Sequence, residues 1–526
     1  MRAVLVSVCL VIACGPPAAP AHPTSPWSAP SFFADIPADT PYVLASIDPM
    51  SDALRDRLYN SIGDSMAKTL ANTDKLVKAE DEPWKRAIAA ITESLRGTDL
   101  KKWNETLGFA ANARIAIYGL GLYPVIRWEL ADAGKLRAVF AKAAAAAGAG
   151  VTNASLRGVA YWKITAGDTH TWVVAVLDHE LVVSVAPTAQ LDAMLPMILA
   201  LEHPAHTLAD TTDVPDALKK YGFTRFMYGA VDVGRVAGAF TALPGSPVAS
   251  AECKSDLGRL ASYTPRIVSG YRHLDADGFA FGIVVETSPG IAEALAKVRT
   301  QLPMLPREHS PIFEASAGID IDALVDAVRG AVHQLRNQPF HCAPLAQVSD
   351  GLDTIAQKLD EPLPPELAGL RGGDFVIDDF TIDPPGGRGG IVALGGQVGQ
   401  AIKKLFDLVP GLGGITIPND GIPVELPIGM LGIKNLDEAY IAVHDGVAAL
   451  AIGAHSKDRV AKALSEPPDP HSPMMGFTWD VAKTLERYPT LWKDDTLTTM
   501  QHLKHIDMSL ELVGNALDFE LDAGWP

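Results

Sequence analysis

The chain of 526 residues has four cysteines, 7% aromatic residues and no basic run longer than a pair such as Lys101-Lys102 or Lys403-Lys404. A nucleic-acid partner would need a positive footprint able to release counterions. Here 44 basic residues stand against 62 acidic ones, a formal charge of -18, so nucleic acid is set aside as a partner. The few aromatics are spread along the chain and form no carbohydrate platform; Trp162 and Trp172 read as packing residues. GxSxG, HExxH, CxxC and GxxxxGK[ST] are all missing, which removes the simplest routes to a hydrolase, a zincin, a thiol redox protein or a nucleotide binder. No catalytic set and no cofactor are expected. The one apolar run at the amino terminus, Ala3 to Ala13, would be about 16 Å long as a helix, roughly half a bilayer core, and reads as a signal segment rather than a membrane span.

The sequence does have ample material for buried cores: 48% of residues are hydrophobic, with 45 glycines and 39 prolines to punctuate them. That composition belongs to a folded chain of several domains. Cys14 follows Val11-Ile12-Ala13, and a Pro/Ala/Ser-rich stretch comes after it. The small Ala13 gives a peptidase access to the bond before a thiol able to carry a diacylglyceryl group, and the following stretch has the composition of a semi-extended tether. These residues resemble the lipobox of bacterial lipoproteins. The resemblance implies removal of residues 1–13, lipidation of Cys14, a tether over 14–31, and attachment to a membrane through the amino-terminal lipid. Gly15, where such lipoproteins carry Asp for inner-membrane retention, points to the periplasmic side of the outer membrane. Once Cys14 is acylated, Cys253 and Cys342 remain, and in an exported protein they are expected to form a disulfide.

The mature chain reads as α+β, with two related units, each a mainly antiparallel sheet covered on one face by helices. Alternating strands need one covered side and amphipathic helices need a surface. Residues 171–195 and 439–464 share the pattern strand, polar turn, strand, helix, with turns at Asp178-His179 and Asp445-Gly446. Residues 226–240 and 474–488 share Met, Asp-Val and a basic residue at matching offsets, with a Gly between in each, and 266–286 matches 505–522 as two alternating strands. Three correspondences in one order point to an internal duplication. The Pro-rich stretch 303–312 marks the boundary, giving a first domain over 32–305 and a second over 306–526. Pro37-Ala38-Asp39-Thr40-Pro41 and Gly119-Leu120-Gly121-Leu122-Tyr123-Pro124 resemble segments of a poorly characterised group of exported bacterial proteins with a PADTP-type start; the resemblance carries over no activity.

Candidate metal ligands are His203 and His206, and His502 and His505, the latter pair spaced i,i+3 on an expected helix so that both would face one side. Asp374, Asp378, Asp379 and Asp383 read as solvated charges on a strand; 375–383 and 389–396 read as a hairpin around Pro-Pro-Gly-Gly-Arg-Gly, and the glycine-rich 386–396 as hairpin turn rather than phosphate loop. The functional reading is a lipid-anchored, non-enzymatic envelope protein, a scaffold or binding module for envelope proteins or an apolar ligand. One alternative is a carrier or chaperone for apolar cargo, recognisable by an enclosed apolar pocket above about 300 Å³. The other is a hydrolase with an unfamiliar site, recognisable by a nucleophile and base in one cleft.

Overall fold

The computed structural model describes residues 27–57, 59, 83–95, 100–166, 169–306, 310–365, 367–382, 385–408, 412–431, 438–470, 472–488 and 503–525. Cys14, the signal segment, most of the tether, His502 and Asp383 lie outside them. The chain divides into two compact units, the first made of 19–246 with 266–276 and the second including 247–265 with 277–526. The division therefore falls ahead of the Pro-rich 303–312 stretch. Among the described residues no helix is long and apolar enough to cross a membrane.

Nine strands build the first unit: β1 (Tyr42–Ser46), β2 (Ile115–Leu120), β3 (Tyr123–Glu129), β4 (Val151–Leu156), β5 (Val159–Ala166), β6 (His170–Val176), β7 (Glu180–Pro187), β8 (Met227–Asp232) and β9 (Arg266–Leu274). All pairings are antiparallel and give the order β4-β5-β6-β7-β3-β2-β1-β8-β9. The second unit has β10 (Gly278–Glu286), β11 (Phe313–Ala317), β12 (Leu370–Ile382), β13 (Pro385–Gly395), β14 (Val424–Glu425), β15 (Ala439–His444), β16 (Val447–Ile452), β17 (Met475–Trp479), β18 (His505–Val513) and β19 (Ala516–Gly524). Their order is β14-β15-β16-β13-β12-β11-β17-β18-β19-β10, again antiparallel throughout. The run β6-β7-β3-β2-β1-β8-β9 in the first unit and β15-β16-β13-β12-β11-β17-β18 in the second follow one connectivity.

Helices follow equivalent strands in both units. After β8, Asp232 caps the helix Val233–Ala242 by accepting from Arg235 N at 2.8 Å; after β17, Asp480 caps Val481–Arg487 by accepting from Lys483 N at 2.8 Å. Such a cap contributes about 1 kcal/mol by satisfying an otherwise unpaired helix N–H. After β3, the helix Ala133–Ala147 lays Ala133 and Leu136 on Val174, Val176 and Leu181 of β6 and β7. After β13, the equivalent of β3, the helix Val398–Leu408 lays Val398 on Val443 and Ala448 of β15 and β16. Removing one fully buried Val or Leu side chain from water contributes about 1.5–3 kcal/mol, and that gain holds each helix to its sheet. The Asp445-Gly446 turn has φ of 46° and 79°, the paired left-handed conformation that a two-residue hairpin turn needs.

Two expectations are corrected here. The expected hairpin of 375–383 with 389–396 is present, but Gly386 to Arg388, expected in its turn, are strand as well; the glycines of this strand let neighbouring chains approach closely, a Cβ on Gly390 standing 2.3 Å from Leu450 O. Asp374 and Asp378 are buried rather than solvated. Asp378 accepts from buried Arg459 at 2.6 Å, and Asp374 accepts from Leu305 N at 3.3 Å. Asp379, half-buried on the other face, pairs with Arg487. The expected bridge is present: Cys253, near the start of the helix Ala251–Tyr263, is joined to Cys342, which precedes the helix Ala343–Asp360, with Cα atoms 4.3 Å apart. Asp256 receives the N–H groups of His341 and Cys342 beside it, at 2.6 and 2.8 Å.

Candidate functional site

The two short motifs far apart in sequence, 37–41 and 119–123, come together as one wall of a groove of about 1010 Å³ in the first unit. The Thr40 hydroxyl ties them. It lies 2.9 Å from the carbonyl oxygens of both Tyr42 and Gly119 and receives Gly119 N–H at 3.1 Å. Glycine is required at 119, since a Cβ there would stand 2.5 Å from Gly121 O and 2.9 Å from the Pro41 ring. The Tyr42 hydroxyl donates to Leu122 O at 3.2 Å, and burial pushes its pKa up to about 12. On the outer side, residues 37 and 38 bridge to 206–207, with Ala38 N donating to His206 O at 3.0 Å. From the helix Val233–Ala242, Arg235 donates to Ala38 O at 2.9 Å.

The opposite wall is the helix Leu191–Ile198, which contributes Met194 and Met197. Its carboxyl end rests on Arg127, 1% exposed, whose Nη2 lies 3.4 and 3.3 Å from the carbonyl oxygens of Met197 and Ile198. The same guanidinium meets Glu180 at 2.6 Å, Asp35 at 3.4 Å and the Tyr118 hydroxyl at 3.2 Å. Burial raises the pKa of Glu180, with Arg127 opposing, and burial raises that of Tyr118. Arg127 remains charged, because the partners around it outweigh the burial that would lower its pKa.

The groove surface is mainly apolar: Leu120, Leu122, Met194, Met197 and Leu243 face it, with Asp39, His206, Asp213 and Arg235 among its polar members. It is a partly open groove rather than an enclosed cavity.

The histidines come out differently from their expected roles. His203 pairs with Asp35 at 2.8 Å, and His206 lines the groove. They do not converge on a third ligand. His505 opens β18, a strand rather than a helix, because 505–513 pairs along its whole length with 516–524. Among the described residues its neighbours are carboxylates. His505, Asp507 and Asp522 place one ligand atom each within 4.8 Å of one another, and this is the one such group among the described residues. Asp507 and Asp522 sit directly opposite across β18 and β19. They line a cleft of about 290 Å³ with Glu314, Ser316, Ser509 and Glu520.

Burial raises the pKa of Asp507, against a hydrogen bond from Thr478 and the nearby His505. Burial, then Asp507 and Glu520, pushes that of Asp522 up to about 8. Sequence spacing could not show this trio, because cross-strand register rather than helical periodicity assembles it. Among the described residues, no nucleophile-and-base pair of the kind a hydrolase needs is brought together in either pocket.

No family model matches the chain, and no curated protein matches it. A solved structure, that of TP0453 in its crystal form I, is 8% identical and aligns over 49% of this chain and 79% of its own with a TM-score of 0.24. At that score the likeness carries no argument.

Proposed function

We propose that the protein is a lipid-anchored, non-enzymatic envelope binding module whose first unit takes the acyl chain of a lipid or similar apolar ligand in the groove. The observation that carries the reading is the groove itself, about 1010 Å³ bounded by Leu120, Leu122, Met194, Met197 and Leu243. Ligand pockets are typically ~300–1,000 Å³, apolar with a few polar groups that fix orientation. Methionines suit a flexible chain, since the unbranched thioether repacks around variable shapes. Arg235 and Thr40 are already engaged in holding the motif 37–41, so the polar groups build the wall rather than forming a charged headgroup site. The shared strand order supports a common origin of the two units by duplication. The anchor at Cys14 and residence on the periplasmic side of the outer membrane belong to the same proposal.

The test is displacement of a fluorescent fatty acid from the purified full chain. Met194→Asp and Leu122→Asp each place a charge in the groove and should weaken binding at least tenfold. Cys14→Ser should leave binding intact while releasing the protein from the membrane fraction. Equal affinity in the parent and both groove variants would refute the groove as the binding site.

A further inference from the structure

The two units share a face on which one has apolar residues and the other has acids. In the first unit, Val43 of β1, Ala230 of β8 and Val268 of β9 stand in one cross-strand row. The corresponding row of the second unit is Glu314 of β11, Thr478 of β17 and Asp507 of β18, and it continues to Asp522 of β19. Both Val43 and Val268 are buried, as are Glu314 and Asp522. A sheet that can close this row with valine carries acids there instead. Burying a carboxylate without a partner is unfavourable by several kcal/mol, so any member of this row left without one needs a compensating group.

Asp522 identifies that group. It is 3% exposed, both carboxylate oxygens lack a hydrogen-bond partner, and it lines the cleft together with Asp507. His505 Nε2 also lacks a hydrogen-bond partner. It lies 3.9 Å from Asp522 Oδ1 and 4.0 Å from Asp507 Oδ2, too far for a hydrogen bond to either. A metal ion at ~2.1 Å from each of three such atoms would hold them roughly 3–3.4 Å apart, a contraction of roughly 0.5–1 Å from these distances. Gly524, paired with His505, makes the arrangement fit: a Cβ at 524 would stand 2.7 Å from the imidazole Cε1. The imidazole can therefore lie against the strand beside Asp522.

We propose that His505, Asp507 and Asp522 bind a divalent transition-metal cation of the zinc or manganese type in the cleft of the second unit. One imidazole and two carboxylates suit such an ion better than calcium, which takes six to eight oxygen ligands. Three protein ligands leave positions for water. The site belongs to the second unit alone and is independent of the groove.

The test is calorimetric titration of Zn²⁺ into the full chain after chelator treatment. The parent should take up one equivalent at this site. Asp522→Asn and His505→Gln should each lose at least tenfold in affinity, while the double variant His203→Gln with His206→Gln stays within twofold of the parent. Asp522→Asn keeps the side chain's shape and removes a buried charge, so it should fold, and far-ultraviolet circular dichroism checks that it does. Co²⁺ provides a readout independent of affinity: visible d–d bands should appear in the parent and vanish in Asp507→Asn. Zn²⁺ affinity unchanged in Asp522→Asn and His505→Gln, or lost as strongly in the His203/His206 variant, would overturn the site. So would absence of uptake at millimolar Zn²⁺, which would leave the carboxyls as a pair kept neutral by protonation.

Discussion

Replacing Arg127 by Met tests how the groove is held. The methionine fills much of the volume but removes the charge facing Glu180 at 2.6 Å and Asp35 at 3.4 Å, and the donors to Met197 and Ile198. Breaking a buried ion pair from one side typically costs about 3–5 kcal/mol, because the remaining charge is left uncompensated. In a unit of this size that is roughly 2–4 °C per kcal/mol, hence a fall of roughly 6–20 °C in the melting temperature of the first unit.

The sign of the pH dependence follows from Glu180. Its folded pKa is raised by burial, so the stability it contributes is fully present below the ordinary glutamate range and is lost as pH rises through the folded value. Arg127 is the group that opposes that rise. The variant should therefore protonate Glu180 at still higher pH, and its deficit relative to the parent should grow from pH 5 to pH 8, by up to about 1.4 kcal/mol for each pH unit across which only the unfolded chain is ionised. Urea denaturation at the two pH values, followed by circular dichroism, gives the difference. A deficit below about 1 kcal/mol, or one that shrinks as pH rises, would refute the assignment of Arg127 as the buried counter-charge. Fatty-acid binding should weaken in the same variant, because the carboxyl end of the helix bearing Met194 and Met197 loses its support.

Gly119→Ala should destabilise the first unit by about 2 kcal/mol or more, since the new methyl would stand 2.5 Å from Gly121 O in a packed wall; a melting temperature equal to the parent's would contradict the close approach. Cys342→Ser should cost about 2–5 kcal/mol by releasing a closure of 89 residues, and reductant should lower the denaturation midpoint of the parent but not of the variant. Arg459→Met should cost about 3–5 kcal/mol in the second unit by leaving buried Asp378 without its 2.6 Å partner, and Asp378→Asn in the same chain should recover part of that loss.

These residues also show what a sequence can and cannot reveal. The hairpins at 115–129, 171–187 and 439–452 were legible because alternation and turn chemistry are local: Gly121 and Gly446 have φ of 58° and 79° at the turns that need them. The Asp-Val pairs were legible as repeated positions, and both aspartates cap helices. Fold class follows from such local signals, since each strand and helix has an apolar side to cover. Partners across the sheet were not legible. Asp378 read as exposed because nothing in 375–383 announces Arg459, which lies 81 residues away. Gly386 and Gly387 read as turn because a glycine chosen for close approach to a neighbouring strand has the same letter as one chosen for its dihedral angles.

The acidic row shows the same limit and a way past it. Alone, Asp507 and Asp522 are ordinary alternating polar residues of two strands, and spacing pairs His505 with His502 rather than with either. Their meaning comes from the partner row. Once the shared strand order aligns Val43-Ala230-Val268 with Glu314-Thr478-Asp507, the substitution of acids for valines in one fold becomes a difference that demands a cause. Stability does not supply it, because valines close the equivalent face of the first unit without unpaired charge. Two sheets of one strand order thus contain their own control: where both units keep apolar residues the row serves packing, and where one buries carboxylates, with both oxygens of Asp522 lacking a hydrogen-bond partner, the difference is what motivates the proposed metal site.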